Sequence, residues 1–317
     1  MRHRVISSSG HRVIGLAAGM LLVPMLLAQQ SVPIALRGGK VMTITKGTIE
    51  NGVVVMESGK ITAVGKSGEV TIPKGARVID VKGMTVYPGL IDSESNLGLT
   101  EITLDPATND LVEPSDPITP HMRVSDAFHA ETELIPEARL NGVTNAIVAP
   151  TKRNTLPGQS SLIQLDGRSR DQMLLVTDIA LPLNFTGAQR RNEGSFDSRK
   201  FPSTRMGVAA QLRQAMIDAQ DYQRRGEEYE KRKTEREKDP SLRERERPKR
   251  DLKLEALLPY LNGKRPVVLA AEEGSDLKTA LALAAEFNLK VVLNHIVHSQ
   301  DLLDEVAALK LPVIVGP

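Results

Sequence analysis

The rhythm of apolar residues changes at Gly83. From 34 to 81 the chain consists of short β-type runs separated by turn residues, at 40–45, 53–57, 60–64 and 77–81, which is how a small sheet domain reads. Beyond Gly83, apolar strands alternate with helical stretches, the signature of βα units around a parallel sheet covered on both faces. The chain is therefore read as α/β, with a smaller all-β body ahead of the main one.

Seven candidate strands fall in the second part, at 85–92, 144–149, 161–165, 173–181, 266–271, 290–295 and 311–315. With 317 residues, a single (β/α)-type barrel of about 250 residues accounts for most of the chain. The helix expected over 275–287 shows the connecting element well, since Leu277, Ala280, Leu281 and Ala284 recur every three or four residues and form one apolar stripe. Ser275 reads as its N-cap, with Asp276 in the first turn. In the first part, Glu57-Ser58-Gly59-Lys60 reads as a hairpin turn with Gly59 supplying positive φ.

Residues 222–251 are mostly charged, with both signs interleaved. They are expected to form a solvated helical hairpin broken near Asp239-Pro240. The rival reading is a docking arm. An RNA-binding arm is disfavoured because acids balance the bases and few aromatics are available to stack. Across the chain 41 basic and 39 acidic residues leave a formal charge of +2, so no global field attracts nucleic acid or an anionic membrane surface. The absence of cysteine removes disulfides, thiolate nucleophiles and Cys-ligated metal sites.

Arg2, His3, Arg4, His11 and Arg12 precede an apolar run from 13 to 28 and then Gln29, Gln30 and Ser31. That order is a signal peptide over 1–28, cleaved after Ala28. A membrane anchor is the alternative, but Gly15, Gly19 and Pro24 interrupt the run, which falls short of the roughly 20 residues a span requires. The expected product is periplasmic or secreted, with no stable membrane insertion after cleavage.

The run Gly83-Met84-Thr85-Val86-Tyr87-Pro88-Gly89-Leu90-Ile91-Asp92, preceded by Ala76-Arg77-Val78-Ile79-Asp80, resembles the amidohydrolase superfamily. Gly142-Val143-Thr144, Gly158-Gln159, Asp276-Leu277 and Leu293-Asn294-His295 ahead of Pro312 narrow the resemblance to its imidazolonepropionase-like branch. It covers residues 34–317 apart from the charged excursion. It implies a (β/α)8-type TIM barrel over 85–317, here with about seven strands, and a small β-sandwich over 29–84. It also implies metal-dependent hydrolysis of C–N bonds other than peptide bonds, with one or two divalent ions at the C-terminal ends of the strands.

Such chemistry needs imidazoles and carboxylates that hold an ion while leaving one position open for an activated water. Against that requirement the ligand positions implied by the resemblance are depleted. His-x-His is expected at the end of the first strand, where this chain has Asp92-Ser93-Glu94-Ser95-Asn96, so Glu94 and Asn96 stand at the two positions. An amide oxygen is a poor zinc ligand and suits harder cations. Ala270 stands where the fifth strand should carry histidine, and 180–184 offers no bridging lysine. The sixth-strand histidine survives as His295. The expected eighth-strand aspartate has no counterpart before Pro317, which suggests a fragment or a barrel completed by another chain.

Two functional expectations follow. In one, hydrolysis is lost and the barrel persists as a ligand-binding protein or as the partner of an active paralogue. In the other, a rearranged site hydrolyses an amide or cyclic amide. Glu94 and His295 are its candidate metal ligands, with Asp92, Asn96, Ala270, Glu272 and His298 lining the residual pocket, and the cation is zinc or a harder divalent ion. Asp92 also reads as a turn residue binding backbone amides. His298, His121 and His129 read as surface residues. No Gly-x-Ser-x-Gly surrounds Ser160 or Ser161, so serine hydrolysis is unsupported. The partners left open are a small molecule, a second copy or a paralogue, and nucleic acid is excluded.

Overall fold

The computed structural model describes residues 32–185, 202 and 204–316, so the expected signal peptide lies outside the described residues. The chain divides into two compact units, Met1–Pro88 and Gly89–Pro317.

The first unit is a five-stranded sheet. Its central strand β1 (Ile34–Met42) pairs antiparallel with β2 (Thr48–Glu57) and parallel with β4 (Arg77–Asp80) and β5 (Thr85–Val86), while β3 (Lys60–Lys66) extends β2. Alternation along β1 and β2 puts Ala35, Val53 and Val55 into a small core under Val70 and Ile72. The β2–β3 turn takes positive φ at both Ser58 (50°) and Gly59 (74°), one more than expected from the sequence. Positive φ at both central residues gives a two-residue hairpin the twist of its strands.

The stretch 85–92 is two strands rather than one. Thr85–Val86 joins the first sheet, and β6 (Leu90–Ser95) opens the second. Pro88 supplies no ladder N–H, and at Gly89 any Cβ would lie 2.1 Å from Thr144 Cγ2, so only glycine fits there.

The second unit is a seven-stranded α/β barrel sheet whose strands follow chain order: β6, β7 (Val143–Val148), β8 (Ser160–Gln164), β9 (Leu174–Asn184), β10 (Val267–Ala270), β11 (Val291–Asn294) and β12 (Val313–Ile314). The pairs β6–β7, β9–β10, β10–β11 and β11–β12 are parallel. Contrary to the all-parallel expectation, β8 runs antiparallel to both its neighbours. A parallel neighbour needs a crossover of about a dozen residues or more. The links at 149–159 and 165–173 are shorter, and only the four-residue helix Arg170–Met173 lies in them.

Three helices cover one face of β9–β11: α4 (Arg205–Lys238), α5 (Leu252–Leu261) and α6 (Gly274–Glu286), counting α1 to α3 as the short helices Val124–Ala127, Leu134–Leu140 and Arg170–Met173. Leu212, Met216, Leu257, Leu277, Leu283 and Leu293 meet there in one buried cluster. Thr204 caps α4 by accepting from Gly207 N at 3.0 Å, and Asp251 caps α5 by accepting from Lys253 N at 2.9 Å. Ser275 does not cap α6, whose N-cap is Glu273 with no side-chain hydrogen bond. The buried Asp276 lies in the first turn, where its charge suits the helix dipole, and pairs with Arg205 at 2.8 Å.

The charged excursion is the far end of α4, which runs unbroken to Lys238 with Asp239 as C-cap. Pro240 then stops the helix. The returning segment 239–250 is not helical, so one limb of the expected hairpin is helix and the other is extended chain. Among the described residues no helix is long and apolar enough to cross a membrane.

Candidate functional site

The candidate residues lie on or just after β6, β10 and β11 and fall into two pairs, Glu94 with Lys152 and Glu272 with His295. Glu94 is the penultimate residue of β6, which ends at Ser95, and its amide donates to Asp92 Oδ1 at 3.2 Å. Asp92 is thus the backbone-binding turn residue its position suggests. The Glu94 carboxylate is held by Lys152, with Nζ 2.7 Å from Oε2 and both side chains about a quarter exposed. Lys152 stands on the loop leaving β7, the strand paired with β6. Sequence reasoning missed it, having sought a lysine near 180–184. Its only signal was position, four residues past the strand end at Val148. Asn96 is exposed.

Ala270 closes β10, between Asn184 of β9 and Asn294 of β11 in the same rung. All three are at least nine-tenths buried. Leu183, Leu269 and Leu293, one residue earlier, belong to the core under the helices, so the period of two turns the Asn–Ala–Asn rung to the opposite face, the barrel interior. Asn184 Nδ2 donates to Asn154 O at 2.8 Å, which fixes the orientation of the amide. Its Oδ1 and the Nδ2 of Asn294 are buried with no hydrogen-bond partner.

His295 follows Asn294 with φ of 51°, a left-handed conformation that costs a non-glycine residue energy and tends to occur at functional sites. Its Nε2 lies 3.3 Å from Glu272 Oε1, and both side chains are about a quarter exposed. Glu272 also accepts the His298 amide through its backbone oxygen at 2.8 Å, and the His298 side chain is exposed. His129 is exposed beside Glu101 at 3.6 Å. His121 is half-buried rather than on the surface, and burial, then the nearby Lys253, hold its imidazole below the ordinary 6.5.

These residues do not fit the zinc centre implied by the resemblance. Glu94 already has its charge met by an ammonium, Asn96 faces solvent, and Ala270 offers a methyl group. His295 and Glu272 satisfy one another. Among the described residues no three histidine or carboxylate side chains are grouped so as to hold a metal ion. A second feature is a cleft of about 580 Å³ lined by Leu111, Glu113, Arg123, Asp126, Pro157 and Gly158, among others. It lies on the loops after β6 and β7, and includes the Gly158 of the sequence signature. At that glycine (φ 133°) a Cβ would stand 2.9 Å from Met122 O.

A barrel sheet whose strands end in carboxylate, amide and imidazole side chains is the α/β architecture that the resemblance implies. No family model matches the chain. It is 28% identical over 267 residues to the amidohydrolase tasK of Hapsidospora irregularis, a match covering 80% of this chain and 27% of that much longer protein. It superposes on the crystal structure of an amidohydrolase from Thermotoga maritima MSB8 with a TM-score of 0.77 and 28% identity, over 90% of this chain and 70% of that one. The chain belongs to the amidohydrolase superfamily.

Proposed function

We propose that this barrel has given up metal-assisted hydrolysis and serves as an exported ligand-binding protein or as the partner of an active paralogue. The observation that carries the reading is the Lys152–Glu94 pair at 2.7 Å. A carboxylate at a ligand position whose charge is met by an internal ammonium has little to offer a divalent ion, because the ion must displace that ammonium. Ala270, buried at a second ligand position, cannot coordinate at all. The cleft of about 580 Å³ with Arg123, Asp126 and Glu113 at its walls supports small-molecule binding, being concave with a few charged groups to orient a ligand. Export rests on the basic and then apolar N-terminal sequence.

The test is metal content. Protein produced with zinc, manganese and nickel supplementation should carry well under one ion per chain after desalting, with no change in the His295→Ala variant. One tightly held ion per chain that disappears with His295→Ala overturns the reading.

One observation favours the rival, an active hydrolase with a rearranged site. His295 keeps a left-handed backbone beside Glu272, a conformation that clusters at functional sites. In that case turnover of a lactam or dipeptide library is present and vanishes in Glu94→Ala/His295→Ala. Turnover that survives this double substitution excludes the rival.

A further inference from the structure

We propose that the tip of the charged arm is a binding site for a phosphate group. Ala219 is the last fully buried residue of α4. Tyr222 and Gln223 still bond Glu255 and Asn262, and beyond them the helix projects for roughly 22 Å at 1.5 Å per residue before ending at Lys238. The returning segment is clipped back onto it by Arg236 to Glu244 at 2.9 Å and Arg245 to Glu228 at 4.0 Å. Between helix and return lies a cleft of about 330 Å³, with Tyr229 and Pro240 in its wall.

The charges are sorted along the arm. Near its base the bases are matched, with Arg224 against Asp221 and Glu228, and Arg225 against Asp221. The cleft at the tip has five basic residues, Arg232, Lys233, Arg236, Arg243 and Arg245, against Glu237 and Glu244. Arg236 and Arg245 are engaged by the clips. Arg232, Lys233 and Arg243 make no ion pair among the described residues. A single unpaired surface cation means little. Three on two facing segments repel each other across a shared cleft, and an anion seated among them removes that repulsion. A phosphate group suits the place better than a lone carboxylate. It carries close to two charges and three acceptor oxygens, enough for two guanidiniums approaching from opposite walls and an ammonium beside them. This inference is independent of the fate of the barrel mouth.

The phosphate could be free in solution or part of a lipid headgroup, and calorimetry on the full chain separates the two. One arm uses pyrophosphate, the other phosphatidic acid vesicles, whose headgroup is a phosphomonoester, with phosphatidylcholine vesicles as blank. Binding to either probe should weaken at least about tenfold in Arg232→Glu/Arg243→Glu. It should stay within about twofold in Lys278→Glu, an exposed charge change elsewhere, and should decline with added salt. The probe that binds identifies the source. No binding to either phosphate probe, or equal binding by the tip variant and Lys278→Glu, overturns the proposal. Both tip substitutions are at exposed positions, and an unchanged circular dichroism spectrum checks that the fold persists.

Discussion

Lys152 Nζ lies 2.7 Å from Glu94 Oε2, so an ammonium on the loop after the second barrel strand meets the carboxylate at the end of the first. With both side chains about a quarter exposed, the pair is intermediate between surface pairs worth at most ~1 kcal/mol and buried ones whose disruption costs about 3–5 kcal/mol. Lys152→Met should therefore destabilise by about 1–2 kcal/mol, read as a lower urea midpoint at unchanged slope. Adding Glu94→Gln should recover part of the loss. If the two effects simply add, the residues are not coupled and the pairing is incidental.

The Asn184–Ala270–Asn294 rung predicts opposite outcomes for two similar substitutions. Asn184→Leu removes a buried amide–carbonyl hydrogen bond to Asn154 O, which should cost about 1–3 kcal/mol. Asn294→Leu removes a buried Nδ2 that has no partner, so it should be neutral or slightly stabilising. Thermal unfolding of the two variants side by side decides it. A large loss in Asn294→Leu would mean that its amide is satisfied by a buried water or by a ligand.

Strand positions were legible in the sequence because apolar runs such as Val267-Val268-Leu269 announce themselves whatever surrounds them. Strand direction was not. The run Ser161-Leu162-Ile163 reads the same in a parallel or an antiparallel ladder, and only the shortness of its connections reverses it. The split at Pro88-Gly89 had a local cue in the proline, yet the continuous apolar pattern across it outweighed that cue. The positions to which the resemblance assigns ligands, held here by Glu94, Asn96 and Ala270, were readable because each sits at a fixed step from a motif. Lys152 and the Asn184–Asn294 pairing were not, since both depend on which residues of separate strands share a level, and register is a property of the folded sheet.

The His121–Lys253–Asp116 cluster predicts a two-stage loss of stability in acid. Burial, then Lys253, hold His121 below its ordinary 6.5, so the unfolded chain takes up this proton first. Stability is then fully present above 6.5 and falls as the pH drops through the interval between 6.5 and the lower folded value. Burial pushes the Asp116 carboxyl up, but hydrogen bonds from Lys253 and the Ile118 amide outweigh it and hold the group below 3.8. Its contribution is present above 3.8 and is lost as pH falls through its folded value. In urea midpoints followed from neutral pH into the carboxylate range, His121→Gln should flatten the upper stage and Asp116→Asn the lower. Parallel curves for parent and variants would count against both assignments.

At the entry to the barrel, Gly89 faces Thr144 so closely that an added Cβ would stand 2.1 Å from Cγ2, 2.3 Å from Oγ1 and 2.7 Å from Cβ. The first two atoms can turn away on χ1, but the third moves only with the β7 backbone. Gly89→Ala should therefore destabilise by about 1–3 kcal/mol through overpacking, although alanine usually stabilises an extended position relative to glycine by limiting the unfolded chain. Thr144→Ala on that background removes two of the three close approaches and should restore part of the loss. It also deletes the Thr144 hydroxyl contact to Leu90 O at 3.4 Å, so recovery should stay incomplete. Melting temperatures of the parent, the single variants and the double variant test this, and a Gly89→Ala protein as stable as the parent would show that β6 and β7 can part at this point.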